Sequence, residues 1–130
     1  MMTYTLDRTF KRTSFGDALD RTKATLSKHG FGILTEIDVK ATMKRKIGVD
    51  ISDYVILGAC NPGMAFEAIK LEPKIGAMLP CNVIVRSINN SDVMVSAIDP
   101  TIATQPIDNE VLQTLAQTVR SMLREALAGA

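Results

Sequence analysis

Apolar positions along the chain switch between a period of two and a period of three to four, and the switches mark out the elements. Residues 3–10, TYTLDRTF, alternate imperfectly but are rich in threonine and aromatic side chains, which predicts a first strand. From there Phe15, Ala18, Leu19, Thr22 and Leu26 recur on one helical stripe that runs to about Lys28. Ser14 is its expected cap, Asp17 sits in the first turn where negative charge is favoured, and Gly30 ends it. His29 falls at the negative end of this helix, where a partly charged imidazole is stabilised. Residues 31–37, FGILTEI, predict a second strand with a bulge or a close neighbour at Gly32. Asp38 then caps a short helix over residues 39–47 with Val39, Met43 and Ile47 on one face, and Gly48 suits the position just after it.

Residues 53–59, DYVILGA, are the most apolar strand and are expected to be central. Asn61 caps the next helix, Pro62 fits its first turn because the missing N–H is not needed there, and Pro73 stops it by Glu72. The piece IGAML at 75–79 lies between two prolines and reads as a tight connection. Residues 81–88 and 92–98 are strands joined at Asn89, Asn90 and Ser91, residues that accept turn conformations, so they predict a hairpin. After a loop to Ile107, Asp108 is the expected cap of a final helix of about 20 residues. Its apolar positions are Val111, Leu112, Leu115, Val119, Met122, Leu123 and Ala126. The order is β-α-β-(short α)-β-α-β-β-α: an α+β fold, mainly antiparallel, with helices packed on one face of the sheet to bury their stripes. Residues 1–130 read as a single domain without repeat or linker.

Composition narrows this picture without changing it. At 46% hydrophobic and 22% charged residues the chain is an ordinary globular one, and no stretch approaches the ~20 apolar residues of a membrane span. The start lacks the apolar run of a secretory signal, so a cytoplasmic location is expected, and with it two reduced thiols. Residues 1–50 carry 10 Lys or Arg against 6 Asp or Glu, whereas residues 51–130 carry 5 against 8. The one dense basic run, Lys40 with Lys44, Arg45 and Lys46, has no aromatic residue interleaved to stack on bases, and amphipathicity of the short helix explains it. Neither nucleic acid nor membrane is therefore an expected partner.

Chemistry concentrates at LGACNPGMAFEA, where a strand ends and a capped helix begins. Free N–H groups at a helix start favour an anion or a thiolate, and Cys60 lies just before the cap Asn61, with Gly63 and Met64 in the first turn. The plainer reading of Cys60 is a small buried hydrophobe. Cys81 opens the next strand after Pro80, and only an antiparallel pairing of the two strands brings it to the end where Cys60 sits. No phosphate loop, dinucleotide fingerprint or nucleophile elbow is present, so no cofactor is expected. Two cysteines and the single His29 fall short of a zinc set, while Met64 and Met78 beside the cysteines would suit only a softer ion, and no metal is expected.

At LTEIDVKATMKRKIG, YVILGACNP and LEPKIGAMLPCNVIVR the sequence resembles the bacterial and archaeal domain-of-unknown-function 302 family, over nearly its whole length. The motif residues of that family fall here on Gly58, Cys60, Asn61, Pro62, Glu72, Pro73, Pro80 and Cys81. The resemblance implies a domain similar in outline to one lobe of the TATA-binding-protein-like group, with four consecutive antiparallel strands following the first strand and helix. It also implies a homodimer, and it places Cys60 and Cys81 at the same end of adjacent strands, while naming no activity. The reading of function that results is a small homo-oligomeric binding module. Its pocket is built on Cys60, Asn61, Gly63, Met64 and Cys81 and takes a small anion or a sulfur-containing ligand. The alternatives are an interaction protein acting through an oligomer interface, with the long final helix as its surface, and a thiol enzyme in which Cys60 attacks and Cys81 resolves.

Overall fold

The computed structural model describes residues 3–130. Five strands, β1 (Thr5–Phe10), β2 (Gly32–Asp38), β3 (Tyr54–Cys60), β4 (Cys81–Ser87) and β5 (Val93–Ile98), form one sheet in the order β1-β5-β4-β3-β2. Every neighbouring pair is antiparallel. The helix α1 (Phe15–Lys28) carries the chain from one edge of the sheet to the other, and β2 to β5 then follow as consecutive neighbours. The most apolar strand, β3, is interior but not the middle one: β4 takes that place, because the β4–β5 hairpin folds back to pair with β1. The bulge of β2 falls at Leu34 rather than Gly32, since the register with β3 slips between Ile33 and Thr35.

Helix starts follow the side-chain caps. Ser14 accepts from the Asp17 N–H before α1, Asp38 from Ala41 before α2 (Val39–Ile47), and Asn61 from Met64 before α3 (Pro62–Leu71). Three details of the second half depart from the periodic reading. Residues Pro73–Met78 wind into a 3-10 helix, with Glu72 accepting from the Lys74 N–H, where a plain connection is expected. A short helix α4 (Pro100–Ala103) forms where a loop is expected, because Asp99 caps it and Pro100 fits its first position. The long helix α5 (Glu110–Ala128) is capped by Asn109, not Asp108.

The pleat sorts the strand residues onto two faces. Leu6, Phe10, Val55, Leu57, Val83, Val85, Val93, Val95 and Ala97 point at the helices and join Leu26 of α1 and Leu123, Ala126 and Leu127 of α5 in the main core. A second, smaller core consists of Ala68, Ile75 and Leu112 with Leu71, Leu79, Ile107 and Leu115 packed around it. The helix α2 buries nothing, and Ile47 at its end is 66% exposed. The end of α5 is pinned from three directions: Arg8 Nη1 donates to the Leu127 and Ala128 carbonyls at 2.7 and 2.9 Å, Thr25 Oγ1 to Ala126 at 2.6 Å, and Arg21 to Ala130 at 3.1 Å. These donors add to the backbone bonds at the last carbonyls of the helix, where such bonds run out.

Candidate functional site

A cavity of about 80 Å³ lies where the end of β3 and the start of β4 meet α3, the 3-10 helix and α5. It occupies the seam between the two cores, with Phe31 and Ala59 of the main core on one side and Ala68, Ile75 and Leu112 of the smaller one on the other. Five of its wall residues are alanines: Ala59, Ala65, Ala68, Ala103 and Ala116. Cys60, Cys81, Met64 and Met78 add sulfur to a wall that is otherwise almost wholly apolar.

Of the residues singled out in the sequence, Cys60, Asn61, Met64 and Cys81 line this space, and Gly63 does not. The Met64 N–H points at its own cap, Asn61 Oδ1, at 3.1 Å, and the Ala65 N–H at the Asn61 carbonyl at 2.9 Å. Of the two N–H groups expected to form an anion hole, that of Met64 is thus taken up by the helix cap. Antiparallel pairing does bring both cysteines to one end of β3 and β4, but Cys81 is paired with Ala59 and Cys60 with Gly32. Cys60 therefore sits one residue past the position opposite Cys81, so the two thiols are not directly opposed across the ladder although both residues line the cavity. Both are free, and among the described residues no hydrogen bond joins them.

Burial pushes the Cys81 thiol up from 9.0 to about 11, with the nearby Cys60 adding to the shift. At neutral pH Cys81 therefore keeps its proton and is a poor nucleophile. The shift has a consequence for stability. An unfolded chain releases this proton first, so the stability tied to Cys81 is intact below about pH 9 and declines as pH rises toward 11, by about 2–3 kcal/mol in total. Urea unfolding at pH 7, 9 and 10.5 is expected to show this decline in the native protein and a shallower one in Cys81→Ala.

The remaining wall residues carried no site signal in the sequence, since Phe31 reads as the start of a strand, Ile75 as part of a tight connection and Leu112 as an apolar helix position. His29, the one imidazole, is engaged elsewhere: its Nδ1 lies 2.7 Å from the Thr25 carbonyl. Among the described residues no group of three or more His, Cys, Asp or Glu side chains is placed to hold a metal ion. Among the described residues no helix is long and apolar enough to cross a membrane.

The fold and this site define a small α+β domain with one five-stranded antiparallel sheet. Residues 6–130 match the family described as Domain of unknown function DUF302, and the chain belongs to that family. Among solved structures it is similar to the crystal structure of an uncharacterized conserved protein DUF302 from Bacillus stearothermophilus. The TM-score is 0.88 at 23% identity, over 98% of each chain, a likeness of fold. No curated protein matches the sequence.

Proposed function

We propose that the protein is a small binding module whose cavity beside Cys60 and Cys81 takes a compact apolar group, such as a short alkyl or thioether end of a larger molecule. The observation that carries this reading is the alanine wall. Larger apolar side chains at those positions would close the space, and the alanines instead leave about 80 Å³ lined by apolar surface. A ligand that fills it gains apolar contact on several sides. The sulfur atoms make the wall soft and polarizable, which suits a thioether better than an ion. The scarcity of polar groups in the wall likewise turns the expectation of an anion toward an uncharged ligand.

Xenon and dimethyl sulfide are probes of the right size. In amide NMR titrations both are expected to shift Phe31, Met64 and Leu112, and Ala116→Leu, which puts three more carbons into the space, is expected to abolish those shifts while preserving the rest of the spectrum. Shifts that bypass these residues, or that survive Ala116→Leu, would overturn the reading.

A homodimer is the second reading, and the uncovered face of the sheet favours it. Ile56 and Ile84 are paired across β3 and β4, Met94 follows on β5, and none of the three belongs to either core. Five strands of about six residues offer roughly 20 by 20 Å in projection, a small face by the standard of stable dimers. The long helix is a poorer surface for this role, because α5 turns Leu112, Ala116, Leu123, Ala126 and Leu127 into its own chain and leaves Val111, at 63% exposure, outside. Sedimentation is expected to give a dimer that Ile84→Asp converts to a monomer of unchanged helix content. A monomer at all concentrations would rule the dimer out.

A further inference from the structure

A second depression, of about 320 Å³, lies between the β1 edge of the sheet and the last turns of α5. Unlike the apolar cavity it is lined by charge: Arg8, Arg120 and Arg124 against Asp7 and Asp99, with Leu6 and Leu127 as an apolar floor. Asp99 is 6% exposed and fully engaged. Its Oδ1 accepts from the Thr101 N–H at 3.0 Å and from the Thr101 hydroxyl at 2.6 Å, and its Oδ2 accepts from Arg120 Nε at 2.9 Å. Burial by itself pushes the Asp99 carboxyl up, but these hydrogen bonds and the Arg120 charge outweigh it and hold the group below the usual carboxylate range. Asp99 thus stays charged and orients Arg120.

The engagement is through Nε. Among the described residues the terminal nitrogens of Arg120 meet no protein acceptor, although its side chain is only 36% exposed. Arg124 follows one turn later on the same face of α5, also without a protein acceptor among the described residues. Arg8 spends its Nη1 on the α5 carbonyls. Two guanidinium groups therefore present free donors to one groove, one of them held in place by a buried carboxylate.

We propose that this groove binds a small organic carboxylate. A guanidinium fork matches a carboxylate in two parallel hydrogen bonds. The charge balance of the groove, three arginines against two aspartates, suits a single negative charge, and a doubly charged phosphate would also meet Asp7 and Asp99. Leu6 and Leu127 give the carbon body of the ligand an apolar floor, and the volume falls within the range of small-molecule sites.

The test is an amide NMR titration of the full chain with butyrate, with butyramide as the uncharged molecule of the same shape and inorganic phosphate as the competing anion. Butyrate is expected to shift Thr5, Leu6 and Leu127 saturably. Arg124→Gln, a change at an exposed position, is expected to weaken that binding at least tenfold with the rest of the spectrum unchanged. Equal shifts from butyramide, undiminished binding by Arg124→Gln, or no saturable shift overturns the proposal, and phosphate binding as tightly as butyrate overturns the carboxylate assignment.

Discussion

Truncating Phe31 to alanine is expected to lower the stability of the fold by about 3–5 kcal/mol, the loss typical of a buried aromatic ring. Phe31 is 2% exposed and lies between α1 and β2, in the main core and in the cavity wall at once. Its ring is therefore what separates the core from the cavity. Removing it loses the transfer energy of the ring and joins its volume to space already open, so little collapse can offset the loss. The same enlargement predicts a change in binding: benzene is expected to stabilise Phe31→Ala measurably and the native protein hardly at all. Urea denaturation with and without benzene reads both effects. A loss below about 1 kcal/mol would mean that α3 and the 3-10 helix close over the gap, and that the cavity is a pliable seam rather than a fixed wall.

Gly58→Val is the second large effect. Gly58 pairs with Thr35 on β2 and with Asn82 on β4, and a Cβ built there falls onto the Thr35 hydroxyl and within 2.8 Å of Pro80 Cγ. A threonine side chain can rotate away, but without backbone movement Pro80 Cγ shifts only as far as a change of ring pucker allows. The substitution is expected to cost about 3 kcal/mol or a little more, at the upper end of what overpacking does. Adding Thr35→Ala is expected to restore only part of it, because Pro80 stays in place. Full restoration would put the whole clash on Thr35. No loss at all would mean that the ends of β3 and β4 shift freely, and with them Cys60 and Cys81.

Much of this architecture is legible from local chemistry. Ser14, Asp38 and Asn61 are caps because a short polar side chain before an apolar stripe meets free N–H groups, whatever the rest of the chain does. The β4–β5 hairpin is equally local, since the Asn89 side chain accepts from the Ser91 and Asp92 N–H groups and closes the turn by itself. The misread pieces are those where neighbouring signals compete. Asp108 and Asn109 are both good caps, and the chain uses the second. The prolines around residues 73–80 forbid a long helix without forbidding a 3-10 turn.

What the site is made of was decided at longer range. Periodicity marks Leu112 as an apolar helix position and places Phe31 at the start of a strand, but packing alone determines that they and Ala68 and Ala116 surround a space instead of filling it, because a cavity is a property of several elements meeting and no single element encodes it. The same holds for Arg120, Arg124 and Asp99, separated by 21 to 25 positions and drawn together only when α5 lies back along β1. The cysteines show the boundary between the two kinds of information. Their place at the ends of β3 and β4 follows from an antiparallel pairing, whereas the one-residue offset between them follows from the register, which only the packed sheet sets.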